Sequence, residues 1–136
     1  MKRNLLLAYH VMTGFSDTVT GILLVVAPQL TLHLMHLHAS REALPFLSFI
    51  GVFVLSVGLA CIYGGRLVAC GGCAKRLETV WLLTAITRGI VAVFVTANVF
   101  AGALEGGWMT VAVCDGACTV LQSIGLARGW LSNEGR

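Results

Sequence analysis

Three charged side chains stand inside the long apolar stretches of this sequence. Asp17, Arg88 and Asp115 each stand alone in an otherwise uncharged run between the flanking charged residues, and each run is long enough to cross a membrane, which takes about 20 apolar residues. An Asp or Arg at the centre of a spanning helix costs roughly 2.5–3.5 kcal/mol on insertion scales. We therefore expect Arg88 to bridge both carboxylates inside the protein, because a guanidinium offers a rigid fork of donors that serves two acids.

Polar neighbours of these charges follow helical spacing. Each charge has a polar residue on the same predicted helix face: Thr13 for Asp17, Thr84 for Arg88, and Gln122 for Asp115. Residues at these spacings share one side of a helix. Two interpretations stay open. The network either fixes helix register and pairing, or it relays protons or ions, because ionisable groups inside a membrane are candidates for function and two carboxylates around one guanidinium leave an excess acid.

Two pairs of cysteines have spacings that allow thiol or metal chemistry. Cys70 and Cys73 flank two glycines with the C-x-x-C spacing, which serves redox and metal sites. Zinc needs four ligands, and only a dimer would complete such a site here. The alternative is a tight glycine turn with incidental thiols. Cys114 and Cys118 stand one helical turn apart and are expected to act either as small apolar residues or as a pair that passes soft metal ions.

Three histidines cluster after the first apolar stretch. His33 and His36 are three residues apart, and His38 follows. This spacing on a helix can hold copper or zinc. The alternative is that all three lie on the wet face of a helix at the membrane surface, with Leu30, Leu34 and Leu37 facing lipid.

The composition excludes several classes of protein. Hydrophobic residues make up 57% of the 136 residues and charged residues only 11%, whereas soluble domains carry about 25% charged residues. No basic stripe for nucleic acid is present, and the sequence lacks a nucleophile elbow, a phosphate loop, a dinucleotide fingerprint and an H-E-x-x-H motif. We predict no cofactor. A metal ion or a quinone is expected only if one of the alternative functions given below applies.

Four stretches are long and apolar enough to position these residues across a bilayer. They are residues 5–27, 43–64, 77–102 and 106–130. Pro28 divides the first apolar run, because proline fits the first turn of a new helix, and a short amphipathic helix over 29–39 is expected to lie on the membrane surface. The predicted fold is a single all-α domain, a four-helix transmembrane bundle, whose first helix is not a cleaved signal peptide.

The distribution of basic residues predicts the orientation. Lys and Arg collect before the first span, between the second and third, and after the fourth, whereas the other two connections hold little positive charge. The positive-inside rule then places both termini in the cytoplasm. The residues that count are Lys2, Arg3, Arg66, Lys75, Arg76, Arg128 and Arg136.

Several short segments resemble DoxX-like four-helix bacterial membrane proteins. They are Thr20-Gly21-Ile22-Leu23 leading to Ala27-Pro28, Phe49-Ile50-Gly51-Val52-Phe53 with Gly58, Arg88, and Asp115. The resemblance spans most of the chain. It implies a bacterial inner-membrane location and an accessory role, and some proteins of this kind are linked to quinone-dependent oxidation complexes. The loop with Cys70 and Cys73 is not part of the resemblance.

Three functions follow as hypotheses. The first is a non-enzymatic accessory or assembly-stabilising subunit of a larger bacterial membrane complex, whose partners are lipid and other membrane subunits or further copies of itself. The second is a small proton- or metal-coupled transporter that acts as a homo-oligomer. The third is a thiol- or quinone-linked component of a membrane oxidoreductase.

Overall fold

The protein is helical throughout the part of the chain that the structure describes. A computed structural model describes residues 3–131, and all of its regular elements are helices. The elements are α1 (Arg3–Val26), α2 (Pro28–Leu34), α3 (Leu44–Ala69), α4 (Ala74–Phe100) and α5 (Met109–Ala127), with single 3-10 turns at Arg41–Ala43 and Gly106–Trp108 before α3 and α5. Lys2 and Arg136, which enter the predicted orientation, lie outside the described residues.

Four of these helical segments are long and apolar enough to cross a membrane. They are Arg3–Val26, Arg41–Ala69, Ala74–Phe100 and Gly106–Ala127. The prediction of four helices with the length and apolar character of membrane spans is therefore confirmed, with ends that differ from the predicted ones by a few residues. Between 17% and 33% of the most apolar window in each helix is buried. Most of the remaining surface is apolar, as a multi-pass membrane protein requires.

The helices end in the same way at four places. After α2, α3, α4 and α5, one residue adopts a positive φ, and the next amide bonds back to a carbonyl five residues earlier. This is the Schellman arrangement, in which glycine is favoured because it has no Cβ. Glycine stands there in three cases, Gly71, Gly102 and Gly129, and His36 in the fourth.

The chain divides into two compact units. Among the described residues, the N-terminal unit comprises residues 3–66, and the C-terminal unit comprises residues 67–131. The N-terminal unit contains α1, α2 and most of α3. The C-terminal unit contains the last residues of α3, the hairpin of α4 and α5, and the connections between them.

Glycines bring α1 and α3 together in the N-terminal unit. A Cβ added to Gly21 would lie 2.5 Å from the backbone nitrogen of Leu55, and one added to Gly58 would lie 2.5 Å from that of Thr18. Real Cβ atoms do not approach backbone so closely, so these positions need glycine. Small residues at helix interfaces allow such close backbone approach in membrane proteins.

The segment after Pro28 departs from its prediction. A helix does begin at Pro28, as proline at its first turn favours, but it ends at Leu34 instead of extending to residue 39. His36 takes φ 54°, and the amide of Leu37 donates to the carbonyl of Leu32 at 2.9 Å. Leu37 is therefore turned inward and only 3% exposed, so the expectation that it faces lipid was wrong. Leu30 and Leu34 are exposed as expected.

Candidate functional site: an intramembrane polar seam

The central contact of the candidate site joins α4 to α5. Arg88 donates from Nη1 to Oδ1 of Asp115 at 2.5 Å, and the two side chains are 6% and 17% exposed. It is one of the two contacts that the cost of isolated charges predicted for Arg88. Both groups lie within helices apolar enough to span a membrane, where an isolated charge would be costly. The contact lets each charge compensate the other.

A second polar contact lies further along the same helix pair. The Gln122 amide donates from Nε2 to Oγ1 of Thr84 at 2.7 Å, and Gln122 is fully buried. The Thr84 hydroxyl in turn donates to the carbonyl of Val80 at 2.8 Å. Among the described residues, Oε1 of Gln122 has no hydrogen-bond partner.

A weaker contact lies between these two. The Thr119 hydroxyl is 2.8 Å from the carbonyl of Asp115 in its own helix and 3.4 Å from the carbonyl of Ala85 on α4. The three cross-helix contacts, 88 with 115, 85 with 119, and 84 with 122, descend α4 as they ascend α5. Such a register is that of an antiparallel pair. We call this row of contacts the polar seam.

Small residues let the two helices approach along the seam. A Cβ on Gly89 would lie 3.3 Å from Thr119, and one on Gly116 would lie 3.9 Å from the Cβ of Ala92. At Gly125 an added Cβ would collide with the ring of Trp81, which is fully buried. The seam is thus held by polar bonds in its middle and closed by a large ring at one end.

Asp17 and Thr13 lie on α1, in the N-terminal unit. Both are partly buried, and the Thr13 hydroxyl donates to the carbonyl of Tyr9 at 2.8 Å within its own helix. The bridge from Arg88 to Asp17 that the sequence suggests stays a prediction. So does the relay of protons through the three charges.

His10 is a buried polar residue whose role sequence reasoning missed. Its Nδ1 lies 3.0 Å from the carbonyl oxygen of Cys61 on α3, so this nitrogen carries the proton and donates. The ring occupies the space above Gly64, where an added Cβ would collide with it, and His10 is fully buried. The available signal was the pair Gly64-Gly65, which leaves room for a ring on the facing helix.

The other predicted metal-binding residues form no group of three or more ligands in the described part of the chain. His33, His36 and His38 line one open hollow beside α2 and are exposed. No disulfide joins any of the five cysteines, and Cys70, Cys73 and Cys114 are exposed. Within residues 3–131, no three His, Cys, Asp or Glu side chains converge in a way that could hold a metal ion.

Comparison of the chain with known protein families, with characterised proteins and with solved structures gives no match. The fold and the polar seam therefore supply the grounds for a functional proposal.

Proposed function

We propose that this protein is a non-enzymatic, multi-pass subunit of a larger bacterial inner-membrane complex, which it helps to assemble or stabilise, with both termini in the cytoplasm. The observation that carries the proposal is the polar seam. Its strongest polar groups, Arg88, Asp115, Gln122 and Thr84, are used in contacts between α4 and α5. Polar groups used in this way stabilise the packing of one helix against another, which suits a structural role.

The energetic argument favours a structural role for the ion pair. Each charge alone would cost about 2.5–3.5 kcal/mol at the centre of a span. Pairing removes most of that penalty and ties α4 to α5 in one register, since neither group can slide along its helix without losing the other. Buried polar groups are well attested as devices that fix register.

The outer surface supports assembly with other apolar surfaces. Large side chains on α3 and α4 point outward, with Phe46 71%, Val93 71% and Phe100 83% exposed. The connection between α3 and α4 covers only residues 70–73. Partner proteins and lipid would therefore contact the exposed faces of the helices.

The resemblance of several short segments to DoxX-like proteins, predicted from the sequence, implies the same role. It rests on segments that include Arg88 and Asp115, which are the two residues of the ion pair. The proposed membrane and accessory role follow what that resemblance implies.

Site-specific crosslinking in native membranes tests the proposal. A photoreactive amino acid placed at the exposed Phe94 should yield adducts with one or a few defined membrane proteins. The matched control is the neighbouring Val95, which is 7% exposed and should give no such adducts. Purification in mild detergent should then recover the same partners in fixed ratio. A chain that crosslinks to lipid alone and purifies by itself would contradict an accessory role.

A proton-coupled transporter is the second candidate, and the exposure of Asp115 favours it. The Asp115 side chain keeps 17% of its surface accessible, against 6% for Arg88, so Asp115 is the more accessible member of the ion pair. In reconstituted vesicles, proton-driven uptake would be lost in Asp115→Asn and kept in Asp115→Glu. Equal proton flux in wild type and Asp115→Asn, with both folded, would dismiss this candidate.

A further inference from the structure

The loop between α3 and α4 carries two thiols that its turn does not require. The amide of Gly72 donates to the carbonyl of Leu67 at 2.7 Å, and Gly71 adopts φ 64°. A Cβ on Gly72 would lie 2.9 Å from the Leu67 side chain. The turn geometry thus accounts for both glycines. It places no demand on the residues at either side of them.

Cys70 and Cys73 are free and exposed at the two sides of this turn. Cysteine is among the residue types most often buried, as Cys61 is here, fully buried in the N-terminal unit. Packing therefore explains Cys61 and does not explain the loop pair. Two exposed thiols at C-x-x-C spacing commonly supply two of the ligands of a thiolate metal site.

The surroundings of the two thiols favour a bound anionic complex. Cys73 directly precedes the first turn of α4, a helix of 27 residues, and the amino end of a helix attracts negative charge. Lys75 and Arg76 stand in that first turn and are exposed. Gly71 leaves its side of the loop open, since a Cβ there would meet nothing within 4 Å. A metal ion can therefore reach the thiols from outside.

The number of ligands selects the kind of metal. Within the described residues no third His, Cys, Asp or Glu joins a pair to form a metal-binding group. Zinc needs four protein ligands in a structural site. Monovalent copper and silver are soft ions that accept two thiolates in a linear arrangement, and thiolate ligands select copper(I).

We propose that Cys70 and Cys73 bind one soft monovalent metal ion per chain, copper(I) being the physiological case. On binding, both thiols lose their protons, and Cu⁺ with two thiolates gives a complex of charge −1 and two released protons. The complex keeps copper in one oxidation state, so no oxidant or reductant takes part. This site goes beyond the accessory role proposed above and does not depend on it.

A competitive titration of the full-length protein in detergent tests the site. The reduced protein is titrated with copper(I) in the presence of a chromophoric copper(I) chelator. Wild type should take up one ion per chain. Cys70→Ser and Cys73→Ser should each weaken binding by more than the roughly 10–100-fold that loss of a supporting residue costs at a metal site, since each removes a ligand.

The second thiol pair of the C-terminal unit provides the matched control. The double variant Cys114→Ser with Cys118→Ser removes the same number of sulfurs and should bind copper(I) as wild type does. X-ray absorption of the loaded protein should show two sulfur neighbours. Helical circular dichroism and elution volume check that each variant is folded, and serine keeps the turn intact because the glycines remain.

Three results would overturn the proposal. One is copper(I) binding that survives the double change Cys70→Ser with Cys73→Ser. Another is uptake of half an ion per chain with four sulfur neighbours, which would place the metal between two copies. The last is zinc retained more tightly than copper(I). Crosslinking at Phe94 is unaffected by any of these, so the accessory role is judged separately.

Discussion

The helices inside each of the two units pack together by different kinds of contact. In the N-terminal unit, α1 and α3 pack so closely at Gly21 and Gly58 that a Cβ would not fit at either position. In the C-terminal unit, α4 and α5 are joined by side chains that reach across, as Arg88 does to Asp115. Glycines are present there too, but Gly116 would accept a Cβ at 3.9 Å from Ala92.

One feature is common to both units. Each seats a large buried ring against a glycine of the neighbouring helix, His10 against Gly64 and Trp81 against Gly125. In the N-terminal unit the ring also donates a hydrogen bond to the facing backbone. The contrast is therefore between the close glycine contacts of Gly21 and Gly58 in one unit and the side-chain bonds of the polar seam in the other.

This contrast teaches how each unit should fail. A close steric contact is lost when an atom is added, because helices in lipid have no hydrophobic driving force for association and depend on close packing. A polar seam fails when one partner is removed, because the other is left uncompensated in an apolar setting. Four substitutions test the contrast, from the largest expected effect to the smallest.

Arg88→Leu should have the largest effect, a loss of about 3–5 kcal/mol in the free energy of unfolding, because Asp115 stays behind as an unpaired charge. Unfolding in mixed micelles by titration with SDS measures this loss. Arg88→Leu combined with Asp115→Leu should recover much of it. If Asp17 also pairs with Arg88, as the sequence predicts, full recovery requires Asp17→Asn as a third change. A stable Arg88→Leu protein would refute a structural role for the pair.

Gly58→Ala should destabilise the protein by about 1–3 kcal/mol, the usual range for overpacking. The new methyl group would stand 2.5 Å from the backbone nitrogen of Thr18, so α1 and α3 must separate. The same titration applies, and hydrogen exchange should show faster opening of α1. Unchanged stability would mean that α1 and α3 separate at little cost.

Gln122→Leu should cost about 0.6 kcal/mol and at most about 1.7 kcal/mol, the measured range for hydrogen bonds between membrane helices. It removes the bond to Thr84 but also removes Oε1, which lacks a partner among the described residues. A double-mutant cycle with Thr84→Val isolates the bond. A coupling energy of zero would show that the Gln122–Thr84 contact contributes nothing to the seam.

Gly116→Ala should change stability by less than about 0.5 kcal/mol, as most unobstructed substitutions do. The added methyl reaches Ala92 at an ordinary contact distance. It is the matched control for Gly58→Ala, since the chemical change is identical. A loss as large as that of Gly58→Ala would remove the contrast between the two units.

Local sequence determined the elements of this protein. Apolar runs of spanning length produced the four long helices, and proline at position 28 began α2. Gly71, Gly102 and Gly129 ended three helices, because the left-handed turn at a helix end favours a residue without Cβ. Helical spacing also placed Thr84 with Arg88 and Asp115 with Gln122, since 3.6 residues per turn is a local property.

The contacts across helices were decided by the tertiary structure. The cost of isolated charges predicted that Arg88 meets Asp115, but the register of α4 against α5 that brings them together is not specified by any local pattern. His36 ends α2 with φ 54°, a conformation that residues other than glycine usually avoid, and the turn that follows leaves Leu37 buried. His10 is buried because Gly64 on another helix leaves space for its ring. Such events require two distant segments to fit together, and fit is a property of the folded chain alone.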